Sequence, residues 1–207
     1  MENAAKPLVF IVSGPSGSGK STLVEKILEV PGTMFSISCT TRPARPTESP
    51  GKWYDFLTEA EFDRRAKHGE FLEYARVFSR HQYGTPRRWL EEAERQGCDL
   101  VLEIDVQGAE QVKQQVPGAI AIFILPPSRT ELERRLRARG LDSEEAITRR
   151  LDRARQEIQR YTQYDFLVIN DDLERAGREI KSITIASRCH RSRMDRRAQQ
   201  ILETFGG

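Results

Sequence analysis

The sequence predicts an α/β fold in which a parallel β-sheet is flanked by helices and carries two excursions, one small and mostly β, the other helical. Three features carry that expectation. Short apolar runs rich in β-branched residues alternate with segments of helical periodicity. The runs are almost continuously hydrophobic, as strands covered on both faces must be. Two stretches, 34–87 and 128–160, break the alternation with patterns of their own.

In chain order, LVFIVS at 8–13 reads as the first strand. Residues 20–29, with Leu23, Ile27 and Leu28 at helical spacing, read as the first helix, so 8–33 forms a strand–loop–helix unit. The stretch 34–87 follows with strand-like MFSISC, a turn-rich TRPARPTESPGK, WYDF, and the alternating FLEYARVF. Residues 88–127 return to the core pattern, with apolar strands at 100–104 and 119–125. In 128–160 a first helix buries Leu132 and Leu136. A second spaces Ile147, Leu151, Ala154, Ile158 and Tyr161 by four, three, four and three residues. The last part, 161–207, adds a strand at 166–169 and a basic tail. Helix starts are marked by capping boxes at Thr58 with Glu61 and Ser128 with Glu131, and by Thr85 before Pro86, a favourable first helical residue.

With 207 residues, the chain is expected to form a single domain, 1–207, with inserted pieces. Hydrophobic residues at 38% and charged residues at 31% exclude a wholly disordered or collagen-like chain. No apolar run approaches the roughly 20 residues that span a bilayer, and the amino terminus lacks the pattern of a secretory signal. A cytoplasmic protein without a membrane partner is therefore expected. Cys39, Cys98 and Cys189 are far apart and form no CxxC pair, which argues against a disulfide framework or a zinc site. The net charge is only +2, yet 26 of 33 basic residues are arginine, whose planar fork suits phosphate. The tail RCHRSRMDRR lacks interleaved aromatics, so no nucleic-acid partner is expected. The oligomeric state is left open.

Residues 14–21 read GPSGSGKS and lie between a predicted strand and a predicted helix, the context that a phosphate-binding loop requires. Gly14, Gly17 and Gly19 let the backbone curl between Pro15, Ser16 and Ser18, so that successive amides point at phosphate oxygens. The helix N-terminus adds positive potential. Lys20 reaches the terminal phosphates, the Ser21 hydroxyl is a candidate ligand for Mg²⁺, and Thr22 follows in the first helical turn. ATP or GTP with magnesium is the expected ligand. Such a loop serves motors, switches and kinases alike, so the remaining motifs must decide the reaction.

Those motifs occur in a specific order: SISCTTRPAR, GKWYDF, FLEYARVF, QYGT, LEIDVQGA, ILPPS, RRLRARG and VINDDL. Together with GPSGSGKST they resemble the guanylate kinase family over about 8–187. The resemblance implies a phosphate-loop NTPase core, a GMP-binding insertion at 34–87 and a lid at 128–160. It implies transfer of the γ-phosphoryl group of ATP to GMP, with Mg²⁺ accompanying ATP. By resemblance, Ser38, Arg42, Arg45, Tyr54, Glu73, Tyr83, Thr85 and Asp105 contact GMP, and Glu103 joins Ser21 at the metal. Arg135, Arg139 and Arg150 are the lid arginines, which with Lys20 and Arg42 neutralise charge during transfer. Asn170 is implied near the adenine of ATP.

The residue chemistry runs parallel to these assignments. Arg42 and Arg45 sit beside turn-forming prolines and can fork onto a phosphate dianion. Arg135 and Arg139, four apart on one helical face, repel each other unless an anion lies between them. Glu73 lies in an alternating strand, where a carboxylate is ordinarily a solvated outer residue. The family match instead gives it the N1–H and N2 amine of guanine. Glu103 and Asp105 close a strand at its carboxyl end, where open α/β sheets place ligands. Arg134, Arg137, Arg149 and Arg153 read as solvated, salt-bridged positions, and His68, His81 and His190 as surface residues. Two other readings share this core: a peptide-binding module that has lost catalysis, which the intact Lys20–Ser21 pair opposes, and a kinase for another phosphorylated acceptor, which Glu73 with Ser38 opposes.

Overall fold

The computed structural model describes residues 6–44, 48–77, 81–138 and 143–206. The phosphate-loop unit is β1 (Val9–Ser13) and α1 (Lys20–Leu28), followed by β2 (Thr33–Phe35). Next come β3 (Ser38–Thr40), β4 (Tyr54–Phe56), α2 (Glu59–Lys67), β5 (Phe71–Val77) and β6 (His81–Pro86). The chain then returns through α3 (Arg88–Gln96), β7 (Asp99–Glu103), α4 (Val106–Gln115) and β8 (Ile120–Leu125). The helical excursion is α5 (Arg129–Ala138) and α6 (Glu144–Ile158), and the chain ends with β9 (Phe166–Ile169), α7 (Leu173–Arg188) and α8 (Arg191–Glu203).

The core sheet has the order β2-β7-β1-β8-β9, parallel throughout. Alternate residues of β1 serve opposite faces. Phe10 and Val12 pack with Leu23, Val24 and Ile27 of α1 and with Ala176 and Ile180 of α7. Val9 and Ile11 pack with Ala93 of α3 and with Ala109 and Val112 of α4. That two-sided cover explains why the run is apolar at every position. At the sheet edge, β9 leaves Phe166, Leu167 and Ile169 exposed and buries Val168.

A second sheet, β4-β3-β6-β5, is mixed, with β3 parallel to β4 and antiparallel to β6. It has its own small core of Cys39, Phe62 and Phe71, in which the rings of Phe62 and Phe71 stack at 4.6 Å. The excursion α5–α6 closes on Leu132, Leu136, Ile147, Leu151 and Ala154, but the expected stripe stops there: Ile158 ends α6 only half-buried, and Tyr161 lies past the helix and is exposed. Both expected capping boxes start helices: Thr58 accepts from the Glu61 amide at 3.2 Å and Ser128 from the Glu131 amide at 3.1 Å.

Two local expectations are corrected. The run MFSISC is two strands, β2 in the core sheet and β3 in the small one, so the boundary expected at 34 falls inside a core strand. Ser36, bonded through its amide to the Val101 carbonyl at 3.0 Å, lies at the crossing between them. Thr85 and Pro86 do not begin a helix but close β6, because the Thr85 hydroxyl is used by Glu73 rather than by a helix terminus. The basic tail is largely helical, as α8, and none of its residues is buried.

Candidate active site

The carboxyl ends of the core strands, the small sheet and α6 enclose a cleft of about 310 Å³. One end is the phosphate loop. Gly14 and Gly19 have φ of 146° and 94°, a conformation that L side chains rarely adopt, and a Cβ on Gly19 would collide with the Asn170 amide nitrogen. Lys20 starts α1, and its Nζ donates to the carbonyls of Gly14 and Pro15 at 2.8 and 3.1 Å. Those bonds hold the ammonium in the cleft wall beside Ser16, Gly17 and Thr22. The Ser21 hydroxyl donates to Glu103 Oε1 at 3.0 Å, joining the first turn of α1 to the end of β7. Ser18 is buried, and its carbonyl accepts the Asn170 amide at 2.8 Å.

The other end is built by the small sheet. The register of β5 and β6 sets Glu73 opposite Thr85, and a shift between Phe71 and Glu73 breaks the alternation of β5 there. Phe71, Leu72 and Glu73 are consequently all buried. The Thr85 hydroxyl donates to Glu73 Oε1 at 2.7 Å. Burial pushes the Glu73 carboxyl up to about 7; the hydrogen bonds from Thr85 oppose that rise and the charge of Asp105 adds to it. Ser38 and Tyr54 are register partners and line the cleft together with Tyr83. The Tyr54 and Tyr83 rings meet edge to face at 5.9 Å. Burial raises the Tyr54 phenol, and the charge of Glu103 adds to the effect.

Arg42 stands behind these tyrosines. Its Nε donates to the Tyr83 hydroxyl at 3.2 Å, its NH1 and NH2 fork onto Glu48 at 2.8 and 2.9 Å, and its guanidinium lies 5.4 Å from the Tyr54 ring centre. Arg45 and Arg139 lie outside the described residues.

Between the two ends sits Asp105. Its Oδ1 accepts the amides of Gln107 and Gly108, both at 3.0 Å, and so caps α4. Its Oδ2 accepts Arg153 NH2 at 3.3 Å. Arg150 reaches the phosphate loop, with NH1 3.3 Å from the Ser16 hydroxyl. Arg135 does not line the cleft: Nε donates to Glu131 at 2.7 Å, and NH2 donates to the Asn170 carbonyl at 2.9 Å. Asn170 thus ties the phosphate loop through its side chain and the α5 helix through its backbone.

Arg153 is a correction. Expected in solvent, it lines the cleft, ion-paired with Glu157 at 2.7 Å and with Asp105. It lies three residues from Arg150, hence on the same helical face, and that spacing was the available signal. Burial raises the Glu157 carboxyl, and Arg153 opposes the rise. Arg134 and Arg137 do pair with acidic neighbours at the surface, and Arg149 is exposed. Ser21 and Glu103 offer hard oxygen donors 3.0 Å apart, a pairing that suits Mg²⁺. No group of three or more His, Cys, Asp or Glu side chains able to hold a metal occurs among the described residues, so an ion here would draw its other ligands from phosphate and water.

A family model described as guanylate kinase matches residues 5–187. A guanylate kinase from Symbiobacterium thermophilum is 44% identical over 206 residues, covering 99% of this chain and 96% of that protein. One from Syntrophotalea carbinolica is 47% identical, covering 95% and 93%. The crystal structure of guanylate kinase from Anaplasma phagocytophilum superposes with a TM-score of 0.75 at 34% identity, covering 91% of this chain and 90% of that one.

Proposed function

The chain belongs to the guanylate kinase family, and we propose that its cleft transfers the γ-phosphoryl group of ATP to GMP, giving ADP and GDP, with the two ends of the cleft dividing the work. One observation carries the reading: a phosphate loop with Lys20 and a buried carboxylate, Glu73, face the same cleft.

Guanine presents N1–H and an exocyclic amine as adjacent donors, which one carboxylate accepts together; adenine has neither donor there. Glu73, held by Thr85 and flanked by Ser38, serves as that acceptor. Arg42, with Arg45, Tyr54 and Tyr83, binds the GMP phosphate. To do so Arg42 exchanges Glu48 for a phosphate dianion, a stronger partner for its fork. Asp105 orients the acceptor nucleotide from the α4 terminus.

At the other end the loop amides of residues 14–19, together with Lys20, Ser21 and Thr22, hold the ATP phosphates. Asn170 braces the loop beside the adenine. Arg150, with Arg135 and Arg139 from the lid, neutralises charge on the moving phosphoryl group. Mg²⁺ carried with ATP, held by Ser21 and by Glu103, would screen the β- and γ-phosphate oxygens. The attacking oxygen belongs to an anionic phosphate, so Lys20 and the arginines act by positioning and charge neutralisation, without a general base. Closure of the small sheet and of α5–α6 over both nucleotides excludes water and with it hydrolysis of ATP.

Among the described residues no helix is long and apolar enough to cross a membrane. A cytoplasmic place, where the reaction returns GMP to the guanine nucleotide pool, accords with the substrates. The test is ADP release measured with GMP, AMP, CMP and UMP as acceptors. GMP should be preferred by about a thousandfold or more in kcat/KM, as expected of a site whose buried polar groups go unpaired with the wrong base. Comparable rates with AMP would overturn the reading.

A further inference from the structure

Gly108 stands in the first turn of α4, and its backbone gives no reason for glycine. It is not among the glycines of positive φ. Its amide donates to Asp105 Oδ1 at 3.0 Å, which any residue but proline could do. Glycine is also among the poorest helix formers, so the position forgoes helical stability. The reason lies across the interface: a Cβ on Gly108 would stand 2.5 Å from Glu73 Oε2 and 2.9 Å from Glu73 Cδ, inside any tolerable contact.

Glu73 has little freedom to give way. Its Oε1 is held by the Thr85 hydroxyl at 2.7 Å, and only 5% of the residue is exposed. The strand cannot drift from the helix either, because side chains of α4 bind the β5 backbone on both sides of Glu73. Gln111 accepts the Tyr74 amide at 3.3 Å and donates to the Tyr74 carbonyl at 3.0 Å. Gln115 donates to the Leu72 carbonyl at 2.7 Å. The α4 helix thus occupies the edge of the small sheet and presses Gly108 against the carboxylate.

We propose that Gly108 is a positioning residue for guanine selection: the absence of a side chain there seats the Glu73 carboxylate with both oxygens aimed at the base. A methyl group at this position forces the carboxylate to turn, sacrificing the Thr85 bond or one of the two acceptors that guanine needs. The inference rests on the reading that Glu73 accepts the N1–H and N2 amine of guanine.

The test compares Gly108→Ala with the wild-type chain, using GMP and IMP as acceptors, since IMP keeps N1–H but lacks the N2 amine. KM for GMP should rise by about tenfold or more, the loss expected for one hydrogen bond to a charged group, and the GMP/IMP preference should shrink by a similar factor. KM for ATP should stay within about twofold, because the phosphate loop is untouched. In a Glu73→Asp background, whose shorter side chain withdraws from the new methyl group, adding Gly108→Ala should cost no more than about twofold further. A thermal-unfolding cycle reads the same contact without activity: Gly108→Ala should lower Tm in the wild-type background and leave it unchanged or raise it in the Glu73→Ala background, where only helix propensity remains. If Gly108→Ala alone fails to fold, recovery of folding in Gly108→Ala/Glu73→Ala supports the contact, and a pair that also fails overturns it. Wild-type GMP KM and GMP/IMP preference in Gly108→Ala, alongside impaired Glu73→Gln, would overturn the role of Gly108 alone. Unimpaired Glu73→Gln would overturn the base reading and, with it, this inference.

Discussion

The Asn170 side-chain amide donates to the Ser18 carbonyl at 2.8 Å across 152 residues of chain, in the buried underside of the phosphate loop. The last core strand therefore braces the loop that follows the first. The same residue accepts Arg135 NH2 on its backbone carbonyl, so one asparagine joins loop and lid.

Asn170→Ala removes that brace and leaves the Ser18 carbonyl buried without its partner, a cost of about 1–3 kcal/mol. KM for ATP should rise by roughly tenfold while KM for GMP changes little. Titration of each substrate at saturating levels of the other checks this; a larger change for GMP than for ATP would contradict the assignment.

Lys20→Ala should fold normally, since the ammonium lies in the cleft wall and donates to loop carbonyls rather than to the core, yet turnover should fall by about a hundredfold or more because a positioned cation at developing phosphoryl charge is lost. Circular dichroism and single-turnover rates separate the two effects. Near-normal turnover would contradict the phosphate-loop role.

Glu73→Gln keeps the shape of the side chain but replaces an acceptor oxygen with a donor amine. GMP efficiency should drop by about ten- to a few hundredfold, because a donor now meets a donor. AMP offers an acceptor at N1 and a donor at N6, a pattern an amide can pair with, so discrimination against AMP should shrink as GMP efficiency falls. Unchanged efficiency and selectivity would move base recognition to Ser38 and Thr85.

The raised Glu73 carboxyl predicts a pH dependence. Guanine binding needs the ionised form, so kcat/KM for GMP should rise with pH and level off above an apparent pKa near the value of about 7. The GMP phosphate ionises near about 6 and contributes to the same rise, so the Glu73→Gln profile is the control that should lack the upper step. Stability runs the opposite way. The folded state holds this proton more tightly than the unfolded chain, so the stabilisation is full below the unfolded carboxyl pKa and is lost as pH rises through about 7. The wild-type Tm minus that of Glu73→Gln should fall across that window.

Local chemistry made much of this protein legible in its sequence. A phosphate loop is glycine and lysine spacing between a strand and a helix, and the lid core of Leu132, Leu136, Ile147, Leu151 and Ala154 is helical periodicity; both are properties of a few consecutive turns of chain. The family resemblance, carried by ordered motifs, added the proposed guanine role of Glu73, for which strand alternation alone pointed to solvent. Only the tertiary structure decided why Glu73 is buried: a register shift in β5 breaks the alternation, and α4, which begins 33 positions later at Val106, covers the strand. In the same way α6 swings Arg153 onto Asp105, and β6 claims Thr85 from the helix it was expected to start. Periodicity records which side of its own element a residue faces. Which other element covers that side is set by chain folding, and at Glu73, Gly108 and Arg153 that cover sets burial and partners.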